Sequence, residues 1–196
     1  MVQPIAPAAT WYEAAGKLGD MEPSIRPVVE GGRLAGPAFT VKCFLGDTTA
    51  VLKGIDQAPQ GSVLVIDVGG TERSTAWGGT SSRAASIRGL AGCVTNGSVR
   101  DLDEVRRAGF PVFSSGVSVR GTLKRHPGWL GLTVSVGGVP VSPGDWVVGD
   151  SDGVVVIPAA RLDEVAPLVS AQLEREAEID TRLEAGESLG QILRLE

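Results

Sequence analysis

The feature that most constrains this fold is a short-linked alternation of apolar strands and small helices between residues 63 and 113. Val63-Leu-Val-Ile66 is wholly apolar, which predicts a strand buried on both faces. Asp67 and the Gly69-Gly70 pair end it. A helix is predicted from Gly79 to Arg88, with Ala84, Ala85 and Ile87 as its apolar positions and Gly89 as its stop. Ala91-Gly-Cys-Val-Thr95 is the next buried strand, and Asn96-Gly97 reads as a turn. Leu102 to Ala108 is a further helix, closed by Gly109, and Pro111-Val-Phe113 begins another strand. Strand–helix–strand–helix–strand with such short links demands parallel strands in an α/β layer.

The flanking segments add to this layer. Thr10 is placed as the cap of a short helix through Trp11, Ala14, Ala15 and Leu18. Residues 20–37, rich in Pro and Gly, read as loop. Pro37 to Phe44 reads as a strand, and Thr48 to Ala58 as a helix with Val51, Leu52 and Ile55 on one face. The second half changes character. Leu132 to Val136, Gly137-Gly138 and Val139-Pro-Val141 give a hairpin signal. Trp146-Val-Val148 and Val154 to Ile157 are strands around an Asp150-Ser-Asp-Gly153 turn. These predict an antiparallel β layer against the first. Arg161 to Ala185 reads as a long amphipathic helix whose stripe is Leu162, Val165, Val169, Leu173 and Ala177.

The chain has 196 residues, which suits one domain, with residues 1–9 as an N-terminal tail and 161–196 as a C-terminal helix and tail. A formal net charge of −5 argues against a broad nucleic-acid footprint. No apolar run reaches membrane-span length, and Met1 to Ala9 lacks the pattern of a secretory signal. A cytoplasmic protein is therefore expected, with Cys43 and Cys93 as buried thiols. His126 is the single histidine, which excludes a two-histidine metal site within one chain.

Three groups could carry chemistry. Gly78-Gly-Thr-Ser81 opens a helix, so its amides could hold a carboxylate or phosphate; a plain strand-to-helix turn would look the same. Arg100 offers a planar fork for a carboxylate, and Asp101 hard oxygens for magnesium or manganese. Asp101-Leu-Asp-Glu104 equally fits a capping box, with Asp101 as N-cap and Glu104 three residues on, and Arg100 could be a solvated charge. Glu176 lies one turn after Leu173 near the edge of the apolar stripe, where an ordinary salt-bridged helix residue is the plainer alternative. Neither a Walker loop, a nucleophile elbow nor a dinucleotide fingerprint occurs.

Together, Trp77-Gly-Gly-Thr-Ser-Ser-Arg-Ala-Ala85, Arg-Gly-Leu-Ala-Gly92, Asn-Gly-Ser-Val-Arg-Asp101 and Gly-Phe-Pro-Val-Phe113 resemble the family of regulator of ribonuclease activity A. That family includes the class II 4-hydroxy-4-methyl-2-oxoglutarate aldolases. Phe39 to Phe44 and Pro143 to Pro158 match it too, so the resemblance covers roughly residues 10–190. It implies a layered β-β-α sandwich of the swivelling-domain type, trimers or hexamers, and a site between subunits. It further implies that the amides of Gly78, Gly79, Thr80 and Ser81 hold the substrate carboxylate, that Arg100 contacts a 2-oxo acid, and that Asp101 binds magnesium or manganese. Glu176 matches a glutamate that reaches the site from a neighbouring subunit and assists through water on the metal. One departure stands out: the aldolases usually carry an aspartate where this chain has Gly79. The Arg100-Asp101 pair, which the ribonuclease-regulating branch tends to lose, is retained. The resemblance thus implies a metal-dependent lyase that frees pyruvate from a 2-oxo acid and also decarboxylates oxaloacetate. A non-enzymatic regulator of a ribonuclease or helicase, and a lyase or hydratase on another oxo acid, are the competing classes.

Overall fold

The computed structural model describes residues 3–69 and 75–195. Gly70 of the expected strand-ending glycine pair lies outside them, while Gly69 turns the chain with φ +85°. In chain order the elements are α1 (Ala8–Ala14), β1 (Arg26–Pro27), β2 (Leu34–Lys42), α2 (Thr49–Gln57), β3 (Val63–Asp67), β4 (Thr75–Trp77), α3 (Gly79–Ile87), β5 (Gly92–Val99), α4 (Leu102–Ala108) and β6 (Val112–Val117). There follow β7 (Trp129–Leu130), β8 (Val134–Val136), β9 (Val139–Val141), β10 (Trp146–Asp150), β11 (Gly153–Ile157), α5 (Leu162–Glu184) and α6 (Leu189–Leu193).

The strands β2, β3, β5 and β6 are parallel neighbours, as the short links require. Antiparallel pairing continues this sheet: β10 joins β2, and β11 joins β10. The first residues of β2, Leu34 to Pro37, pair with β10, whereas Ala38 to Lys42 pair with β3. One long strand therefore belongs to both halves, and the sheet folds over on itself there. Alternation along β3 explains the layering. Leu64 and Ile66 face a core with Val51, Ile55, Ala85 and Val105 from α2, α3 and α4. Val63 and Val65 face the opposite way, onto Val147, Val154 and Val156 of the antiparallel half and Val134 and Val136 of the hairpin. The outer face of that half, Val148, Val155 and Ile157, packs on Trp11 of α1 and on Val165 and Val169 of α5. The result is the expected β-β-α layering, with α1 and α5 as a fourth layer.

Several local expectations are corrected. α1 begins at Ala8, inside the expected tail, because the Ala8 amide donates to Asp150 Oδ2 at 2.8 Å; Thr10 sits buried within the helix and caps nothing. Residues 20–37 are not all loop, since β1 and the start of β2 lie there. The Asn96-Gly97 pair is not a turn: β5 runs through it to Val99 with a bulge between Thr95 and Ser98. The bulge persists because the Asn96 side chain is engaged, accepting from the Val68 amide at 2.9 Å and donating to Asp67 at 3.0 Å. Ile87, expected on the apolar face of α3, is exposed. The stripe of α5 is buried only at Val165 and Val169, each worth about 1.5–3 kcal/mol. Ala177 is exposed, and no residue of the helix's second half is fully buried. Both cysteines are buried and unpaired, and burial pushes the Cys43 thiol up to about 12, helped by the charges of Asp67 and Asp47. Among the described residues no helix is long and apolar enough to cross a membrane.

Candidate active site at the end of the parallel strands

The site begins with a strand that sequence pattern does not reveal. β4 is three residues long and follows β3 along the same edge of β5, where β3 pairs with Gly92 to Thr95 and β4 with Ser98 and Val99. The pairing sets Trp77 opposite Val99, and the Arg100 amide donates to the Trp77 carbonyl at 3.1 Å. This brings the Gly78 turn beside Arg100 and Asp101. Trp77 anchors the turn: it is buried, stacks on Phe110 with ring centroids 5.8 Å apart, and donates its indole N–H to Ser82 Oγ at 2.8 Å. The first amide to bond back within α3 is that of Ser82, to the Gly78 carbonyl at 3.0 Å. The amides of Gly79, Thr80 and Ser81 precede it at the positive end of a helix whose first turn holds no acidic residue.

Asp101 is the decisive residue. Its backbone is left-handed (φ 57°, ψ 44°), and its side chain makes no bond to the end of α4. The capping box expected of Asp101 and Glu104 is therefore not formed. An N-cap carboxylate reaches the amides above it only from the extended region. From the left-handed region the carboxylate is carried sideways instead, to 3.4 Å from the Arg100 Nε. It also fills the space beside Gly78, where an added Cβ would come within 2.9 Å of Asp101 Oδ2. Glycine at 78 lets the Asp101 carboxylate approach this closely, since its φ of −165° is open to any residue. A non-glycine residue in the left-handed region costs about 1–3 kcal/mol and recurs at functional sites.

These groups form one wall of a cleft of about 280 Å³. Gly78, Thr80, Ser81, Arg100 and Asp101 all line it. Gly79 does not. It faces the groove between α3 and α4, where an added Cβ would lie 2.4 Å from both Glu104 Cβ and Oε2. The space that a side chain at 79 would need is already filled. Glu176 lies on α5, partly buried and accepting from the Gln172 side chain at 3.0 Å, and lines no part of the cleft within this chain. The opposite wall was missed by the sequence reading. It comprises Thr48, Leu52 and Asp56 around α2 and Thr122 and Lys124 from the loop after β6. Leu52, read on one helix face with Val51 and Ile55, lines the cleft together with them and is the exposed member of the three. Lys124 stands among charged residues that looked like any exposed loop.

A divalent ion is the cofactor that the resemblance implies, and the donor set can be tested against it. Among the described residues no group of three or more His, Cys, Asp or Glu side chains could hold a metal. Asp101 supplies one carboxylate at the cleft wall, free of the helix end and paired with Arg100. That suits magnesium or manganese, which are held through one or two carboxylates with water and substrate oxygens completing the shell. It does not suit a structural zinc or calcium cage.

Residues 8–156 match the RraA-like family model described as Aldolase/RraA. A protein of Halalkalibacterium halodurans, provisionally named 4-hydroxy-4-methyl-2-oxoglutarate aldolase, is 36% identical over 159 residues, covering 81% of this chain and 76% of its own. Among solved structures, an uncharacterized protein from Pseudomonas syringae superposes with a TM-score of 0.83 at 30% identity, over 94% of this chain and 90% of that one. Streptomyces coelicolor RraAS2, titled an unusual member of the RNase ES inhibitor RraA protein family, gives 0.76 at 26% identity, over 93% and 98% of the two chains. By its sequence, its layered sheet and the Trp77-to-Asp101 turn pair, this chain belongs to the RraA-like family of aldolase and RraA proteins.

Proposed function

We propose that the cleft is the active site of a divalent-metal-dependent lyase that cleaves a carbon–carbon bond of a 2-oxo acid and releases pyruvate. The observation that carries this reading is the Asp101 carboxylate, withdrawn from the helix end it was expected to cap and set against Arg100 and Gly78. The amides of Gly78, Thr80 and Ser81 and the Arg100 guanidinium bind the 2-oxo carboxylate and orient it. Lys124 supplies a second cation on the facing wall. Asp101 holds the ion, and when bound the ion supplies Lewis acidity toward the 2-oxo group. In aldol cleavage a base takes the proton of the 4-hydroxyl, the C3–C4 bond breaks, and its electron pair becomes the enolate of pyruvate. In oxaloacetate decarboxylation the same bond breaks with loss of carbon dioxide. Arg100 stabilises the developing enolate charge in both. Protonation at C3 then completes pyruvate.

The reading extends to assembly. Phe44, Leu45, Leu123 and Trp129 expose between 48 and 59% of their surface beside the cleft, an apolar surface suited to a second copy in a trimer or hexamer. Glu176, partly buried on the second half of α5, is the carboxylate to enter such a neighbour's cleft and serve as the proton-handling group. A screen for pyruvate release from oxaloacetate and several 4-hydroxy-2-oxo acids, with magnesium or with chelator, tests the reading. Release with at least one substrate that chelator abolishes is expected. A protein inert toward all of them, or active regardless of chelator, refutes it. A pure ribonuclease or helicase regulator would be inert and indifferent to the ion.

A further inference from the structure

We infer that Asp47 is a positioning residue for the cleft, latching the loop that carries Thr122 and Lys124 at a set distance from α2; the inference rests on the oxo-acid reading of that cleft. Residues 118–128 contain no buried side chain, so no core packing places them. What holds them is a set of hydrogen bonds to the corner between β2 and α2, with the His126 ring against Phe44 of that corner, centroids 4.5 Å apart. The Leu123 amide donates to the Gly46 carbonyl at 2.8 Å, the Thr48 amide to the Leu123 carbonyl at 3.1 Å, and the Thr48 and Thr122 hydroxyls are 2.9 Å apart. At the centre lies Asp47, 3% exposed. Its Oδ2 accepts the amides of Arg125 at 2.6 Å and His126 at 3.0 Å, and its Oδ1 accepts the Thr49 amide, at the start of α2, at 2.8 Å.

One carboxylate thus joins two segments that each line the cleft: Leu52 and Asp56 stand on α2, and Thr122 and Lys124 on the loop. Burial alone would favour the neutral acid, but amide bonds from Arg125, Thr49 and His126 outweigh it and hold the Asp47 carboxyl well below the usual carboxylate range. The latch is therefore closed throughout the neutral range. Lys124 itself is exposed, and its reach over the substrate depends on amides one and two residues further along. The carboxylate of Asp47 acts on substrate only through that loop.

The test is kinetic and structural together. Asn at 47 keeps the size of the side chain but leaves one acceptor oxygen for three amides. Asp47→Asn should raise KM for the oxo acid about 10-fold and leave kcat within about 3-fold. Lys124→Met should do the same, and the double variant should be no worse than either single one, because both remove the same contact. Trypsin should cut the 120–125 loop of Asp47→Asn faster than that of the parent with no substrate present, which reads the latch whatever the cleft binds. Should Asp47→Asn fail to fold, Arg125→Pro, which deletes a donor amide from an exposed residue, carries the same kinetic expectations, with faster trypsin cleavage read after Arg120, the site of that loop which the variant leaves cleavable. Unchanged KM and unchanged cleavage would overturn the latch, and so would fully additive losses in the double variant. If the parent releases no pyruvate from any acid, the lyase reading falls, while the trypsin comparison still decides the latch.

Discussion

On one side of the cleft, Gly78, Arg100 and Asp101 hang from paired strands and a buried tryptophan; on the other, Thr122 and Lys124 hang from a loop without one buried side chain. The first wall is an extension of the core. Its geometry follows from packing of Trp77 on Phe110, and the left-handed strain at Asp101 is sustained by that rigidity. The second wall is held by hydrogen bonds to a single ionised corner. The difference teaches where each kind of error would tell. Damage to the anchor of the first wall costs stability and chemistry together, and damage to the second tells first on substrate placement.

The largest effect should come from removing the anchor of the first wall. Trp77→Ala deletes a buried indole and its bond to Ser82, so unfolding in denaturant should show a loss of about 3–5 kcal/mol, with activity falling alongside. A loss no greater than that of a surface substitution would show that the wall does not depend on the core. A smaller effect is expected from Gly78→Ala. Its methyl would lie 2.9 Å from the Asp101 carboxylate, so it should displace that carboxylate while α3 stays formed. Turnover should drop about 10- to 100-fold with stability changed by about 1 kcal/mol or less. Full activity in that variant would separate Asp101 from the Gly78 turn.

The same contrast explains what was legible in the sequence. The parallel strands, the hairpin and the three helices around them follow from runs such as Val63 to Ile66, because burial on both faces leaves a compositional trace. The first wall was legible for a related reason: glycines beside a helix start, followed one strand later by an Arg-Asp pair. β4 was hidden by its length of three residues, and its pairing with β5 past a bulge depends on contacts far apart in the chain. The state of Asp101 was hidden too. Asp-x-x-Glu before a helix carries the capping pattern, and only the left-handed backbone reveals that the carboxylate is free of it. Asp47, Thr122 and Lys124 left no pattern at all, since one buried carboxylate with amides 78 and 79 residues away is a tertiary fact.

The central claim is that the Asp101 carboxylate is an ion ligand in the presence of an oxo acid. Manganese titration followed by electron paramagnetic resonance, with oxalate as an inert stand-in for the 2-oxo acid, addresses it directly. The parent should bind manganese, and Asp101→Asn should weaken that binding about 10- to 100-fold at unchanged melting temperature. Equal affinity in the two proteins would contradict the account.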